Sequence, residues 1–209
     1  MSTSYNDIAG KSVERLAALS DGIFAVAMTL LVLDLHTPAK EAIRTEQDLW
    51  HALAAMSPPL ITYLMSFLTL GIFWNGQQVQ LNCLARADRH VTWIHVAFLF
   101  AVSIMPFSTR LLSEFIQYRT ALVCYWANAM LLGLVLYLSW GCVSRAGLMK
   151  DDTPPEIGRA IVRRIMIGQA LYAFGAALCV FDTYASIAFI VLVQLNFAFA
   201  PRIRWLSGF

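Results

Sequence analysis

Residues 15–35 read RLAALSDGIFAVAMTLLVLDL. The run is close to the roughly 20 apolar residues that one α-helix needs to cross a bilayer. Arg15, Ser20 and Asp21 stand at its entrance. Arg and Asp each cost roughly 2.5–3.5 kcal/mol at a helix centre in hydrocarbon, so they mark functional suspects. With Asp21 and Asp34 in the segment and no clear small-x-small site after it, it reads as an uncleaved first span rather than a secretory leader.

The rest of the chain repeats the pattern. Of 209 residues, 59% are hydrophobic and 13% charged, far from the composition of soluble domains. The apolar residues fall into long blocks separated by charged or proline-containing connections, which predicts an all-α bundle rather than a barrel of short alternating strands. We expect one membrane domain over residues 1–209, with six spans at about 15–35, 52–81, 91–112, 119–143, 165–181 and 185–200. Residues 1–14 form a polar lead. Pro58 and Pro59 mark the start or a kink of the second span and leave Trp50 and His51 at the interface. Pro106 is expected to bend the third span or free a backbone carbonyl. Tyr118, Trp126, Tyr137 and Trp140 lie where interfacial anchors of the fourth span belong. Residues 144–164 read as the longest polar connection. Asp182 and Thr183 leave almost no loop between the last two helices, and Pro201 stops the final one.

Of the 15 Lys and Arg residues, 11 fall on the side of the N-terminal segment and only Lys40, Arg44, Arg110 and Arg119 on the other. Both termini are therefore expected in the cytoplasm, as an even number of spans requires. No internal repeat accompanies the six blocks, so the inverted-repeat architecture of many transporters lacks support. A subunit without internal symmetry can still enclose a pathway by assembling around an axis.

On a helix turning 100° per residue, Gly22, Val26, Thr29 and Leu33 lie within about 60° of one another. They suit a pore wall, with aliphatic rings that gate by dewetting and a Thr29 oxygen for a partly dehydrated cation. Spacing alone fits ordinary helix packing better. Ser20 and Asp21 lie about 200° and 100° from Gly22 on the wheel and should point into their own subunit. Arg15 projects only about 20° from the proposed ion-facing row. A ring of Arg repels cations, so Arg15 is expected to turn aside onto a carboxylate or a helix C-terminus. Trp74, Asn75, Gln77 and Gln78 share the membrane side of Ser20 and Asp21, which suggests a polar inter-helix network; for Trp74 an interfacial position is as good a reading. Asn128, Gln194 and Asn196 read as inter-helix glue.

The sequence speaks against an enzyme. His36, His51, His90 and His95 form no HExxH pattern, and GxSxG, P-loop and dinucleotide fingerprints are absent. Cys83, Cys124, Cys142 and Cys179 form no CxxC motif and read as buried free thiols. A net charge of +2 without a compact basic run gives no reason to expect nucleic acid. No cofactor is implied, and the TVGYG-type carbonyl filter is missing.

The stretch from Arg15 through Ser20-Asp21 into GIFAVAMTLLVLDL resembles the RxxxFSD signature and first helix of the transmembrane protein 175 family, which comprises the lysosomal potassium channel and its bacterial homologues. GIFW at residues 71–74 and FLFAVSIMPFST at residues 98–109 are similar to the same family. The resemblance implies a potassium-permeable channel without a carbonyl filter, lined by the first helix of each subunit. One six-span unit per chain implies a homotetramer in a cell inner membrane. By position the constriction falls on Val26, Thr29 and Leu33, with transient K+ near Thr29 and no other metal. Arg15, Ser20 and Asp21 would hold the first helix against the second and third. Leu19 replaces the signature Phe, and Gln77 and Gln78 stand where the family often has a His pair. The alternative is a secondary transporter that uses Arg15 and Asp21 as its coupling site.

Overall fold

A computed structural model describes residues 12–199. The first helix, α1 (Val13–Leu30), continues as a turn of 3-10 helix over Leu31–Asp34. It is followed by α2 (Glu46–Ala55), α3 (Ser57–Asn82), α4 (Arg89–Glu114), α5 (Arg119–Arg145), α6 (Pro155–Ala177) and α7 (Thr183–Phe199). Among the described residues, five helical segments are long and apolar enough to cross a membrane: Val13–Asp34, Ser57–Asn82, Arg89–Glu114, Arg119–Arg145 and Pro155–Val180. The apolar stretch Thr183–Ala198 is shorter. At 1.5 Å per residue α7 extends about 25 Å, short of the roughly 30 Å hydrocarbon core.

Local chemistry sets the boundaries. Ser12 caps α1, its hydroxyl oxygen accepting the Arg15 N–H at 3.2 Å. Pro58 and Pro59 fall in the first turn of α3, where a missing N–H costs nothing. They therefore open a new helix instead of kinking one. Trp50 and His51 consequently belong to the separate helix α2. Its N-terminus is closed by a capping box in which Asp48 Oδ2 accepts the Thr45 N–H at 2.9 Å and Thr45 Oγ1 accepts the Asp48 N–H at 3.1 Å.

Asp88 caps α4 through the Val91 N–H at 2.8 Å, and the helix runs unbroken through Pro106. Helix α5 ends with Gly147 at φ 61° and with the Leu148 N–H on the Val143 carbonyl at 3.3 Å. This is the glycine-terminated C-cap in which a residue just beyond the helix folds back onto its last turn. Leu148 is buried beside Val143, Leu84 and Val91. Because Pro155 starts α6 at once, the fifth span begins about ten residues earlier than its hydropathy suggests.

Helix α4 is central, packing on α1, α3 and α5, and its Phe98, Ala101, Val102, Met105 and Leu112 are buried in the main apolar cluster. Helices α6 and α7 form the tight hairpin expected at Asp182. They pack closely at Gly175, where a Cβ would meet Ile190 at 2.7 Å. Trp140 is 5% exposed and packs with Cys83 and Ile161 beneath α6. The 1–11 lead, Pro201 and the tail arginines Arg202 and Arg204 lie outside the described residues.

Candidate functional site: the two faces of α1

Helix α1 buries Leu16, Ser20, Phe24 and Ala27, a repeat of four, four and three residues that forms one stripe. The stripe packs on α3 and α4. Opposite it, Gly22, Val26, Thr29 and Leu33 are all exposed in the single chain, Val26 by 55% and Leu33 by 68%. Leu19 and Leu30 extend this apolar strip. Leu33 lies in the 3-10 turn, where each residue turns about 120° instead of 100°. It is thus rotated about 40–60° from the position an unbroken α-helix would give it.

The Thr29 hydroxyl donates to the carbonyls of Ala25 and Val26, each at 2.9 Å. Its one proton is therefore held by the helix. The oxygen lone pairs are left for the exposed side, the polarity a cation needs.

Ser20 is fully buried and is the centre of a small network. Its Oγ lies 2.8 Å from the Leu16 carbonyl, 2.6 Å from His95 Nε2 and 2.8 Å from Gln77 Nε2, which donates to it. Gln77 Nε2 also lies 2.9 Å from His95 Nε2. The Ser20 hydroxyl has one proton: when it donates to the Leu16 carbonyl, its oxygen accepts from Gln77 and from an Nε2-protonated His95, whereas an unprotonated Nε2 accepts from Gln77, and each tautomer satisfies three of the four contacts. Ser20, Gln77 and His95 come from α1, α3 and α4, so the network ties the three helices at one level. Gln77 Oε1 is buried and has no partner among the described residues.

Asp21 is exposed in the single chain, one step around the helix from Ser20. Its Oδ1 accepts from Trp74 Nε1 at 2.8 Å and Gln78 Nε2 at 2.9 Å. Two neutral donors thus hold the carboxylate against α3.

The fold brings Ser20, Asp21, Trp74, Gln77 and Gln78 together as two adjoining clusters. It does not bring Arg15 or Asn75 to them. Arg15 is exposed, and among the described residues its guanidinium has no ion pair. A position seven residues before Gly22 keeps it on the same open face, away from the carboxylates of the described residues. His95 is the participant that motif reading missed. A histidine set directly before the apolar run 96–102 of the third span was the available signal, because a polar ring inside a bundle needs partners. Trp74 bonds Asp21 rather than standing free as a belt residue.

Of the other polar residues in the spans, Gln194 donates to Thr69 at 2.6 Å and Asn128 meets the Ser108 hydroxyl at 3.2 Å. Both link helices. Asn196 is exposed. At the far end of α1, Asp34 lies 4.0 Å from Arg110, which also pairs with Glu114 at 2.9 Å. Among the described residues no group of three or more His, Cys, Asp or Glu is placed to hold a metal ion.

A multi-pass helical protein whose first helix keeps one side locked to its own bundle and the other bare and apolar is a membrane protein with an unused helix face. Comparison with known proteins agrees in class. The family model for the endosomal/lysosomal potassium channel TMEM175 matches residues 15–106. The potassium channel B446_29190 of Streptomyces collinus is 31% identical over 170 residues, covering 79% of this chain and 80% of that one. The potassium channel Cha6605_3372 of Chamaesiphon minutus is 27% identical over 88% of this chain and 92% of its own. The crystal structure of a lysosomal potassium-selective channel TMEM175 homolog from Chamaesiphon minutus superposes with a TM-score of 0.76 and 26% identity over 91% of this chain and 98% of that one. The chain belongs to the TMEM175 family, a family of ion channels and not of enzymes.

Proposed function

We propose that the chain is a potassium-permeable cation channel in which four copies surround a central axis and α1 of each lines the pathway. The observation that carries the reading is the exposed row Gly22, Val26, Thr29 and Leu33, set opposite a stripe that is locked by Ser20. Apolar side chains at Val26 and Leu33 would narrow and dewet the pathway, and Thr29 would offer oxygen between them. K+ would pass transiently near Thr29, with no carbonyl filter and no bound cofactor. The names of the relatives, potassium channels in two bacteria, support K+ as the ion.

The arrangement we propose has six spans in one membrane domain, α7 being the sixth, with both termini cytoplasmic and the subunit in a bacterial inner membrane. Arg15 and Asp21 make no ion pair with each other in the single chain, so no contact between them favours the alternative of a secondary transporter coupled through the two. Purified protein in planar bilayers under a K+ gradient tests the proposal. Unitary currents reversing near the K+ equilibrium potential are expected. Slow, saturable uptake coupled to a second ion would overturn it.

A further inference from the structure

Helices α5 and α6 diverge at the ends joined by residues 146–154, leaving a groove of about 610 Å³. That is within the usual range for a ligand site, roughly 300–1,000 Å³. Tyr137, Trp140 and Gly141 give it an apolar wall, and Arg145, Arg159 and Arg163 also line it. Among the described residues no carboxylate lines it. The geometry points to a binding site for an anionic phospholipid of the adjacent leaflet, with the phosphate on Arg145, Arg159 and Arg163 and an acyl chain along Tyr137, Trp140 and Gly141.

The structure builds this groove rather than merely exposing it. Gly158 of α6 packs against the Trp140 ring, where a Cβ would come within 3.2 Å of it. The indole is also packed by Cys83 and Ile161, which fixes it as part of the wall. The connection that closes the end is strapped to the α3–α4 turn. The Ala85 N–H donates to the Leu148 carbonyl at 2.9 Å, and the Lys150 N–H to the Cys83 carbonyl at 3.0 Å. Met149, at this strap, and Thr153 then complete the lining.

Charge and position select the occupant. Arg145 ends one candidate span, and Arg159 and Arg163 lie in the first turns of another, so the guanidinium groups sit at headgroup depth. Arg binds phosphate through paired N–H donors and is weakly hydrated. Basic pockets between helices at a membrane surface characteristically hold anionic headgroups. Arg159 also meets Glu156 at 3.7 Å, but both side chains are largely exposed, and such pairs contribute little. A free phosphate would leave the wall of Tyr137, Trp140 and Gly141 unused, and a zwitterionic lipid would place its own cation among three arginines. The inference is independent of the ion pathway, because it concerns α5 and α6 and not the exposed face of α1.

Native mass spectrometry of the full chain tests it, with phosphatidylglycerol or phosphatidylcholine of the same acyl chains added to the detergent. Wild-type protein is expected to retain phosphatidylglycerol in several-fold excess. Retention should fall several-fold in the Arg145→Gln/Arg159→Gln/Arg163→Gln variant, and equally in Gly141→Leu, which fills the groove. A Cβ at Gly141 meets nothing within 4 Å, so this second variant keeps the fold if the triple variant does not. Arg164→Gln removes a charge from the same helix, but from the arginine that lies over Phe197 at 5.4 Å, and should change nothing. Equal retention of both lipids, insensitivity to Gly141→Leu, equal loss with Arg164→Gln, or complete displacement by inorganic phosphate would each overturn the proposal.

Discussion

Replacing Ser20 by Ala removes the hydroxyl on which α1, α3 and α4 converge. Its Oγ meets Leu16, His95 and Gln77 at 2.8, 2.6 and 2.8 Å, and the side chain is fully buried. A buried donor left without a partner costs about 1–3 kcal/mol. Inter-helix hydrogen bonds in membrane proteins average only about 0.6 kcal/mol and reach about 1.7, because the unfolded state in the membrane also finds partners. After the substitution Gln77 and His95 still have each other at 2.9 Å, so at most one donor is stranded. The expected loss is therefore about 1–2 kcal/mol. For a chain of this size each kcal/mol shifts the melting temperature by about 2–4 °C, giving a fall of about 2–8 °C. Circular dichroism melts in detergent at fixed protein concentration measure it. A double-mutant cycle with Gln77→Leu separates the shared interaction from general loosening, since independent sites add within about 0.5 kcal/mol. Unchanged melting for Ser20→Ala, together with additivity in the cycle, would show that this network does not hold α1 to its bundle.

Leu33→Ala should raise unitary conductance by widening the aliphatic ring, and Thr29→Val, which keeps the shape but removes the oxygen, should change the K+ to Na+ permeability ratio; no effect from either would remove α1 from the pathway. Gly175→Leu should destabilise the α6–α7 hairpin by about 1–3 kcal/mol or more, the range for overpacking, because even a Cβ would meet Ile190 at 2.7 Å; an undiminished melting temperature would refute that close approach. Bonds from the Thr45 side chain and from the backbone N–H groups of Arg44 and Thr45 hold the Asp48 carboxyl below its ordinary range. The folded value is the depressed one, so the support Asp48 gives α2 is complete above the unfolded value and is lost as pH falls below roughly 3.9. Amide exchange of residues 45–55, normalised to intrinsic rates, should show α2 loosening in that window, and Asp48→Asn should abolish the pH dependence.

The family, the membrane class and most of the spans are legible in the chain before it folds. Hydropathy, span length and the Ser20-Asp21 signature are local properties, and a bilayer imposes them on each segment separately. The period of α1 likewise marks Gly22, Val26, Thr29 and Leu33 as one row. Boundaries resisted the same reading where polarity and helicity part company. Residues 155–164 are polar yet helical, because Pro155 starts a helix that carries its arginines along the groove. Pro58 and Pro59 sit in an apolar run yet begin a new helix.

The tertiary structure alone decided the partners. Ser20 and His95 lie 75 positions apart in the chain, and Asp21 and Trp74 lie 53 apart. No spacing rule spans such separations, because they are brought together by the way α3 and α4 pack on α1. For the same reason periodicity can say that Arg15 shares the open face but not whether a carboxylate comes to meet it. Packing leaves Arg15 exposed, brings the His95 ring within hydrogen-bond distance of Ser20, and turns Leu33 out of strict helical register. The sequence by itself determined that the first helix has two faces; only the packed bundle decided which residues lock one of them and leave the other bare.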